Sequence, residues 1–300
     1  MSKRIAYYEY GAPEVLRFED EPPAVPAPGQ VRVRNQLIGV NPVDWKMVAG
    51  YFRHTDRSPF PHVPGWASTG IIDATGDGVR GLKVGDAVIV GARGGAYRER
   101  LVVDARLVVP RPEGMSAERA AALPSSAVAG YSMVDNLGIG SEDTLLVHGA
   151  AGSVGSATVQ IAVDRGARVI GTASPRNHDY LRSLGAIPVA HGDGLEDALR
   201  GFGTITASAD AVGGPASVAV TLAVLGRRGR AVTAWGDEHS QAAGIPWVRH
   251  PEDELEQTVA IAARGALNPR IVETFPLARA ADALRLSRTG HPEGKILLAP

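Results

Sequence analysis

The residues best placed to do chemistry lie in one run, Leu145-Leu-Val-His-Gly-Ala-Ala-Gly-Ser-Val-Gly-Ser-Ala-Thr-Val-Gln-Ile-Ala162. A short apolar strand ends at His148, a glycine-rich turn follows, and helical spacing begins at Ser153. Within the turn, Ala150 to Gly155 fits the G-x-G-x-x-G pattern with alanine in the first place. The Gly152 backbone can approach a pyrophosphate, and Gly155 lets the helix lie close to its strand. The helix start offers free N–H groups and a positive dipole end to phosphates. Ala151, Gly152, Ser153, Val154 and Gly155 are therefore the expected phosphate-binding residues. The bland alternative is a structural strand-to-helix turn.

The second strand of such a unit carries Asp or Glu at its end when the ribose 2′-hydroxyl is to be held. This chain reads Val169-Ile-Gly-Thr-Ala-Ser-Pro-Arg-Asn177 there, and no carboxylate comes before Asp179. Thr172, Ser174 and Arg176 suit a 2′-phosphate instead, because a guanidinium and hydroxyls donate to its oxygens. The expected cofactor is NADPH. Arg176 as a merely solvated first-turn residue is the competing reading.

Short strands separated by helical stretches surround these motifs. From residue 114 the pattern alternates: strands at 144–148, 168–172, 187–190, 207–212 and 230–234, helices at 153–165, 177–184, 195–200 and 215–225. That alternation predicts a doubly wound parallel sheet. The first hundred residues read as β-rich, with runs at 31–37, 69–74, 87–90 and 101–103. Val31, Val33 and, after a slip, Leu37 alternate with Arg32, Arg34 and Gln36. A short helix is expected within 41–50, with Pro42 early and Gly50 at its end. Residues 235–250 read as irregular, followed by a helix over 252–264, a strand over 271–275, a helix over 278–287 and a last strand over 295–299. The fold class is α/β in three segments: 1–113 β-rich, 114–265 nucleotide-binding and 266–300 returning to β.

The chain's 300 residues are 44% hydrophobic and 21% charged, in the range of globular proteins. With 31 basic and 32 acidic residues there is no excess charge to hold a polyanion, so nucleic acid is not an expected partner. No run of about 18 apolar residues is present to span a bilayer. No secretory leader is read at the start, and the expected compartment is the cytoplasm. The absence of cysteine excludes a disulfide scaffold, cysteine-ligated zinc, iron–sulfur clusters and a catalytic thiol. The histidines show no ligand spacing.

The whole chain resembles the medium-chain dehydrogenase/reductase superfamily, in its zinc-free branch of NADPH:quinone oxidoreductases and zeta-crystallin-like proteins. The resemblance rests on ordered motifs: Gly39-Val-Asn-Pro-Val-Asp-Trp-Lys46, Pro64-Gly-Trp-Ala-Ser-Thr-Gly70, Val84-Gly-Asp-Ala-Val88, the glycine loop, Ser183-Leu-Gly-Ala186, Gly290-His291 and Gly294-Lys-Ile296. It implies a GroES-like β-rich catalytic domain, a Rossmann domain inserted into it, a substrate cleft between them and a homodimer through an edge strand near 230–235. Asn41 and Trp66 stand where the zinc members place a Cys and a His, so no metal is expected.

The resemblance also implies roles. Asn41, Asp44, Lys46 and Tyr51 become candidate catalytic or substrate-orienting residues. Capping at Asn41 and Asp44, and packing at Tyr51, are the plainer readings. Trp66 and Trp235 would face the substrate. Val212, Gly213 and Lys295 would lie toward the cofactor, with a solvated side chain the plainer reading of Lys295, and Ser126, or else Ser125 or Tyr131, would replace a nicotinamide-contacting threonine whose place Ala129 takes. The implied activity is flavin-free hydride transfer to a quinone or an α,β-unsaturated carbonyl. An enoyl thioester or specialised metabolite as acceptor, and a non-catalytic NADPH-binding role, are the alternatives.

Overall fold

A computed structural model describes residues 1–55, 58–225, 229–290 and 293–300, so His291 lies outside the described residues. The chain forms two compact units, Met1–Ser125 with Arg270–Pro300, and Ser126–Pro269.

The first unit opens with an antiparallel pair, β1 (Ser2–Ala6) and β2 (Arg17–Glu21). Alternation misses this pair because its exposed positions are charged on both strands. Lys3 stands opposite Asp20 at 2.9 Å and Arg4 opposite Glu19 at 2.7 Å, and such cross-strand pairs hold register. Next come β3 (Gln30–Val40), α1 (Pro42–Val48), β4 (Ala67–Thr75), β5 (Ala87–Val90), β6 (Arg100–Asp104), β7 (Val108–Pro110) and α2 (Ala117–Ala122). β3 slips as its sequence suggests: its register shifts between Asn35 and Leu37, so Val31 and Val33 share the main core with Ile38 and Val40, whereas Leu37 packs with Ala121 and Leu297, and Asn35 is buried at the shift. Asn35 is tolerated there because its Nδ2 donates to the carbonyls of Ala96 (3.2 Å) and Arg98 (2.8 Å).

The domain boundary falls later than the composition shift near residue 113. The alanine-rich α2 packs on β3 and β4 of the first unit. The link Leu123–Ala127 then carries Ser125 at φ 70°, a backbone state that costs a non-glycine residue about 1–3 kcal/mol.

The second unit is contiguous. It contains α3 (Val128–Asn136), β8 (Thr144–His148), α4 (Ser153–Asp164), β9 (Arg168–Ala173), α5 (His178–Ser183), β10 (Ile187–Ala190), α6 (Leu195–Arg200), β11 (Ala207–Asp210), α7 (Pro215–Leu225), β12 (Arg230–Thr233), α8 (Glu238–Ala242) and α9 (Glu254–Ala263). Its parallel sheet has the order β10-β9-β8-β11-β12. The direction of winding reverses beside β8, and ligands of such sheets bind at the carboxyl ends of the strands at that switch point. The segment expected to be irregular holds α8, capped by Asp237, whose Oδ1 accepts from the Ser240 N–H at 2.8 Å. After it, Pro246 and Val248 exchange backbone hydrogen bonds with Thr233, so the end of β12 is already paired.

The chain returns to the first unit with β13 (Ile271–Pro276), α10 (Ala280–Arg288) and β14 (Lys295–Ala299). β14 lies between β13 and β3, pairing Ile296 with Val40. The core of this unit gathers Val31, Val33, Ile72, Val88, Val90, Ile296 and Leu298.

The glycine loop is as tightly built as its sequence demands. A Cβ placed on Gly155 would lie 2.2 Å from the Gly149 carbonyl oxygen, an impossible contact with backbone. Gly155→Ala is expected to destabilise the second unit by about 2–3 kcal/mol despite the better helix propensity of alanine. Thermal unfolding should show the melting point lowered by several degrees.

Candidate active site

Asn41 is the residue before α1, in extended conformation, with Pro42 as the first helical residue. Three residues on, Asp44 turns back, and its Oδ2 accepts the Asn41 backbone N–H at 2.8 Å. This is half of a capping box, so local helix chemistry explains the spacing of the two residues. The same Oδ2 accepts from the Tyr97 hydroxyl at 3.0 Å, and the Gly65 N–H also lies against the carboxylate. The Tyr97 ring needs room at Gly65, where a Cβ would sit 2.4 Å from Tyr97 Cδ1 and the backbone has φ 107°. Glycine is the residue that meets both conditions. The Pro64-Gly65 motif therefore serves Tyr97 and, through it, Asp44.

The Asn41 carboxamide points the other way. Its Nδ2 donates to the Gly39 carbonyl at 3.2 Å, and its Oδ1 accepts from Lys295 Nζ on β14. Asn41 and Asp44 have no exposed surface and Lys295 is 2% exposed. Lys295 is not a solvated side chain: it is buried with an amide partner inside the first unit. Burial pushes Asp44 up to about 7, against hydrogen bonds from Asn41 and Tyr97 and the charge of Lys295. Burial also pulls Lys295 down to about 7, opposed by Asp44.

The other two candidates, Lys46 in α1 and Tyr51 in the turn after it, reach the surface. Tyr51 is exposed, and its ring meets Trp45 edge-on at 5.6 Å between centroids. Lys46 Nζ lies over the same Trp45 ring at 5.6 Å. Lys46 is half-buried, which lowers its ammonium to about 8. Trp66 is partly buried, and its Nε1 donates to Met47 Sδ at 2.9 Å, a tether on the last turn of α1.

In the second unit, the glycine loop separates two demands. Gly155 is filled by its neighbours, whereas a Cβ on Gly152 would meet only the Gly149 oxygen, at 3.4 Å. Gly152 thus leaves room above the start of the twelve-residue α4, whose first N–H groups have no acceptor within the helix. This open backbone at the start of a helix fits a dinucleotide pyrophosphate. Ala151 is buried, and Ser153 and Val154 are partly exposed in the first turn.

At the end of β9 the three expected 2′-phosphate residues separate. Thr172 is buried, and its Oγ1 accepts the Gly149 N–H at 3.2 Å, so it braces the loop from behind. Ser174 Oγ pairs with His191 Nε2 at 3.1 Å, and Arg176 is exposed in the following turn. Ser126 is buried at the edge of the link.

The turn after β11 is organised by Asp210, which the sequence reading passed over. Its Oδ1 accepts the N–H groups of Val212 and Gly213, both at 2.9 Å, and Oδ2 accepts from Ser217 at 2.7 Å. An aspartate followed by a glycine turn is the available signal. Val212 is exposed. Gly213 has φ 80° and lies under Trp235, whose Cδ1 would be 2.4 Å from any Cβ there. His148, at the end of β8, is buried against Thr221 at 3.0 Å, and burial lowers its pKa.

The fold and these motifs agree with comparisons to known proteins. Residues 27–113 match the alcohol dehydrogenase GroES-like domain and residues 184–298 the zinc-binding dehydrogenase domain. The structure of the quinone oxidoreductase from Coxiella burnetii superposes with a TM-score of 0.89 at 25% identity, covering 100% of this chain and 99% of that one. The chain is 37% identical over 193 residues to a quinone oxidoreductase of Pseudomonas aeruginosa, 62% of this chain and 57% of that protein. It is 36% identical over 197 residues to the 2-methylene-furan-3-one reductase of Solanum lycopersicum, 61% of this chain and 50% of that protein. The matches thus span a little over half the length of these curated relatives. The protein has the medium-chain dehydrogenase/reductase fold, with a GroES-like domain and a parallel-sheet Rossmann domain. Among the described residues no three His, Asp or Glu side chains are grouped to hold a metal, and no helix is long and apolar enough to cross a membrane.

The buried cluster carries a pH signature. Folded Asp44 keeps its proton to about 7, whereas the unfolded chain releases it near 3.8, so this group's contribution to stability falls as pH rises between those values. Lys295 loses its proton near 7 when folded and near 10.5 when unfolded, so its contribution rises over that window. Relative to Asp44→Asn, the wild type should lose unfolding free energy from pH 4 to 7. Relative to Lys295→Met, it should gain from pH 7 to 10. Neither slope should exceed about 1.4 kcal/mol per pH unit in denaturant titrations.

Proposed function

We propose that the protein is an NADPH-dependent, flavin-free and metal-independent reductase of quinones or α,β-unsaturated carbonyls. The observation that carries the reading is the pairing of an open Gly152 backbone at the α4 start with a β9 end that offers Ser174, paired with His191 from after β10, and Arg176, with no carboxylate before Asp179. Nicotinamide bound to this chain supplies a hydride. Gly152, Ser153 and Val154 hold the pyrophosphate by backbone N–H groups, and Arg176 pairs with the 2′-phosphate. The turn at Val212 and Gly213, fixed by Asp210 and covered by Trp235, gives the nicotinamide end a rigid wall.

On the acceptor, Lys46 and Tyr51 are the donors. As hydride reaches the β-carbon of an enone, or a quinone ring, negative charge collects on the carbonyl oxygen, where a positioned N–H or O–H stabilises it. The Lys46 ammonium then releases its proton to the reduced product. A delocalised anion of this kind needs no Lewis acid. The same reading includes a homodimer and a cytoplasmic site of action.

The test is NADPH oxidation followed by absorbance, with an ortho-quinone and a simple enone in parallel and a chelator present. Turnover on either, unchanged by the chelator, is expected. Normal NADPH binding without turnover on any acceptor would return the protein to the non-catalytic class. Arg176→Ala should weaken NADPH at least tenfold and NADH less than twofold; equal losses would remove the 2′-phosphate assignment. Because Lys46 is charged below about 8, kcat/KM should fall as pH rises through 8, and Lys46→Met should lie about a hundredfold lower with that limb missing.

A further inference from the structure

Lys295 occupies a position that packing alone does not explain. Its neighbours on β14, Ile296, Leu297 and Leu298, are apolar and buried, and a methionine would fill the same volume without carrying a charge out of water. Buried charges add little to stability over an apolar replacement, so stability does not account for an amine at this position. What Lys295 holds is the residue at the head of α1. Nζ donates to Asn41 Oδ1, and the Asn41 backbone N–H is in turn fixed on Asp44, which Tyr97 fixes from β-rich structure 53 residues away. The far end of the helix has its own tie, from Trp66 to Met47. Between the two ties stands Trp45, the ring on which both Lys46 and Tyr51 rest.

We propose that Lys295 is a positioning residue, its buried ammonium clamping Asn41 so that helix α1 presents Lys46 and Tyr51 in a fixed pose. This goes beyond the reductase reading, on whose assignment of Lys46 and Tyr51 its consequence for turnover rests. Its structural content does not depend on that reading. The clamp acts on a neutral amide, the lysine amine donating a buried hydrogen bond to its oxygen.

The chain has four lysines, Lys3, Lys46, Lys83 and Lys295. This permits a test independent of turnover. Reductive ¹³C-methylation labels the accessible amines, and NMR titration then reads the pKa of Lys46 directly. In Lys295→Met, the Lys46 resonance should titrate at least half a unit away from its wild-type midpoint. Asn41→Ala, which removes the acceptor and keeps the lysine, should move it likewise and serves should Lys295→Met fail to fold. Lys295→Arg, which restores a cation, should bring it back toward the wild type.

With a working acceptor, Lys295→Met should lower kcat at least tenfold while the Kd for NADPH changes less than twofold. An unmoved Lys46 titration in both Lys295→Met and Asn41→Ala overturns the proposal and leaves Lys295 a packing residue. A loss of NADPH affinity that matches the loss of turnover overturns it in favour of a cofactor contact. If the wild type turns over no acceptor, the reductase reading fails by itself, and the Lys46 titration still decides the clamp.

Discussion

The hydrogen bond from Tyr97 to Asp44 is the contact around which the first unit's buried polar cluster is built. It fixes a buried carboxyl at the head of α1, and the Tyr97 ring that makes it obliges Gly65 to lack a side chain. An unpartnered polar group at such depth costs about 1–3 kcal/mol, so every member of the cluster holds the others to their places. Asp44 caps the helix, Asn41 receives the last strand, and the exposed residues of α1 inherit an orientation set entirely behind them.

The second unit solves a different problem with the same economy of parts. One glycine is closed and one is open. Gly155 brings α4 against the loop, and Gly152 leaves backbone facing outward. Thr172 and Asp210 then act as braces, each spending its side chain on main-chain N–H groups of a turn. Loops that must meet a ligand with fixed donors need this kind of support, because the binding energy otherwise goes into ordering them.

The regular elements were legible where a local cause determines them. The strands at 87–90, 144–148, 187–190 and 295–299 match the structure residue for residue, since each is a short apolar run bounded by turn residues. The β1–β2 pair was illegible because its stability comes from charges that meet only across the ladder. The site divided in the same way. Asn41 and Asp44 were visible through their spacing, and Gly155 through its motif. Tyr97 left no trace near Asp44 in the sequence, and the burial of Lys295 follows from tertiary packing that no flanking residue announces. Thr172 was picked out for a hydroxyl whose direction only the fold decides.

The central place of β14 bears on how the molecule is made. Its strand pairs with β3 across more than 250 positions of chain, Ile296 meeting Val40, whereas the second unit is drawn from one unbroken stretch. During synthesis the second unit is complete once Pro269 has left the ribosome. The first unit has by then exposed most of its apolar strands and still lacks the one that joins β3 to β13. Contacts this distant in sequence form slowly, and open strand edges invite aggregation meanwhile. The inserted unit therefore matures first, and the half of the protein translated earliest waits longest for its sheet to close.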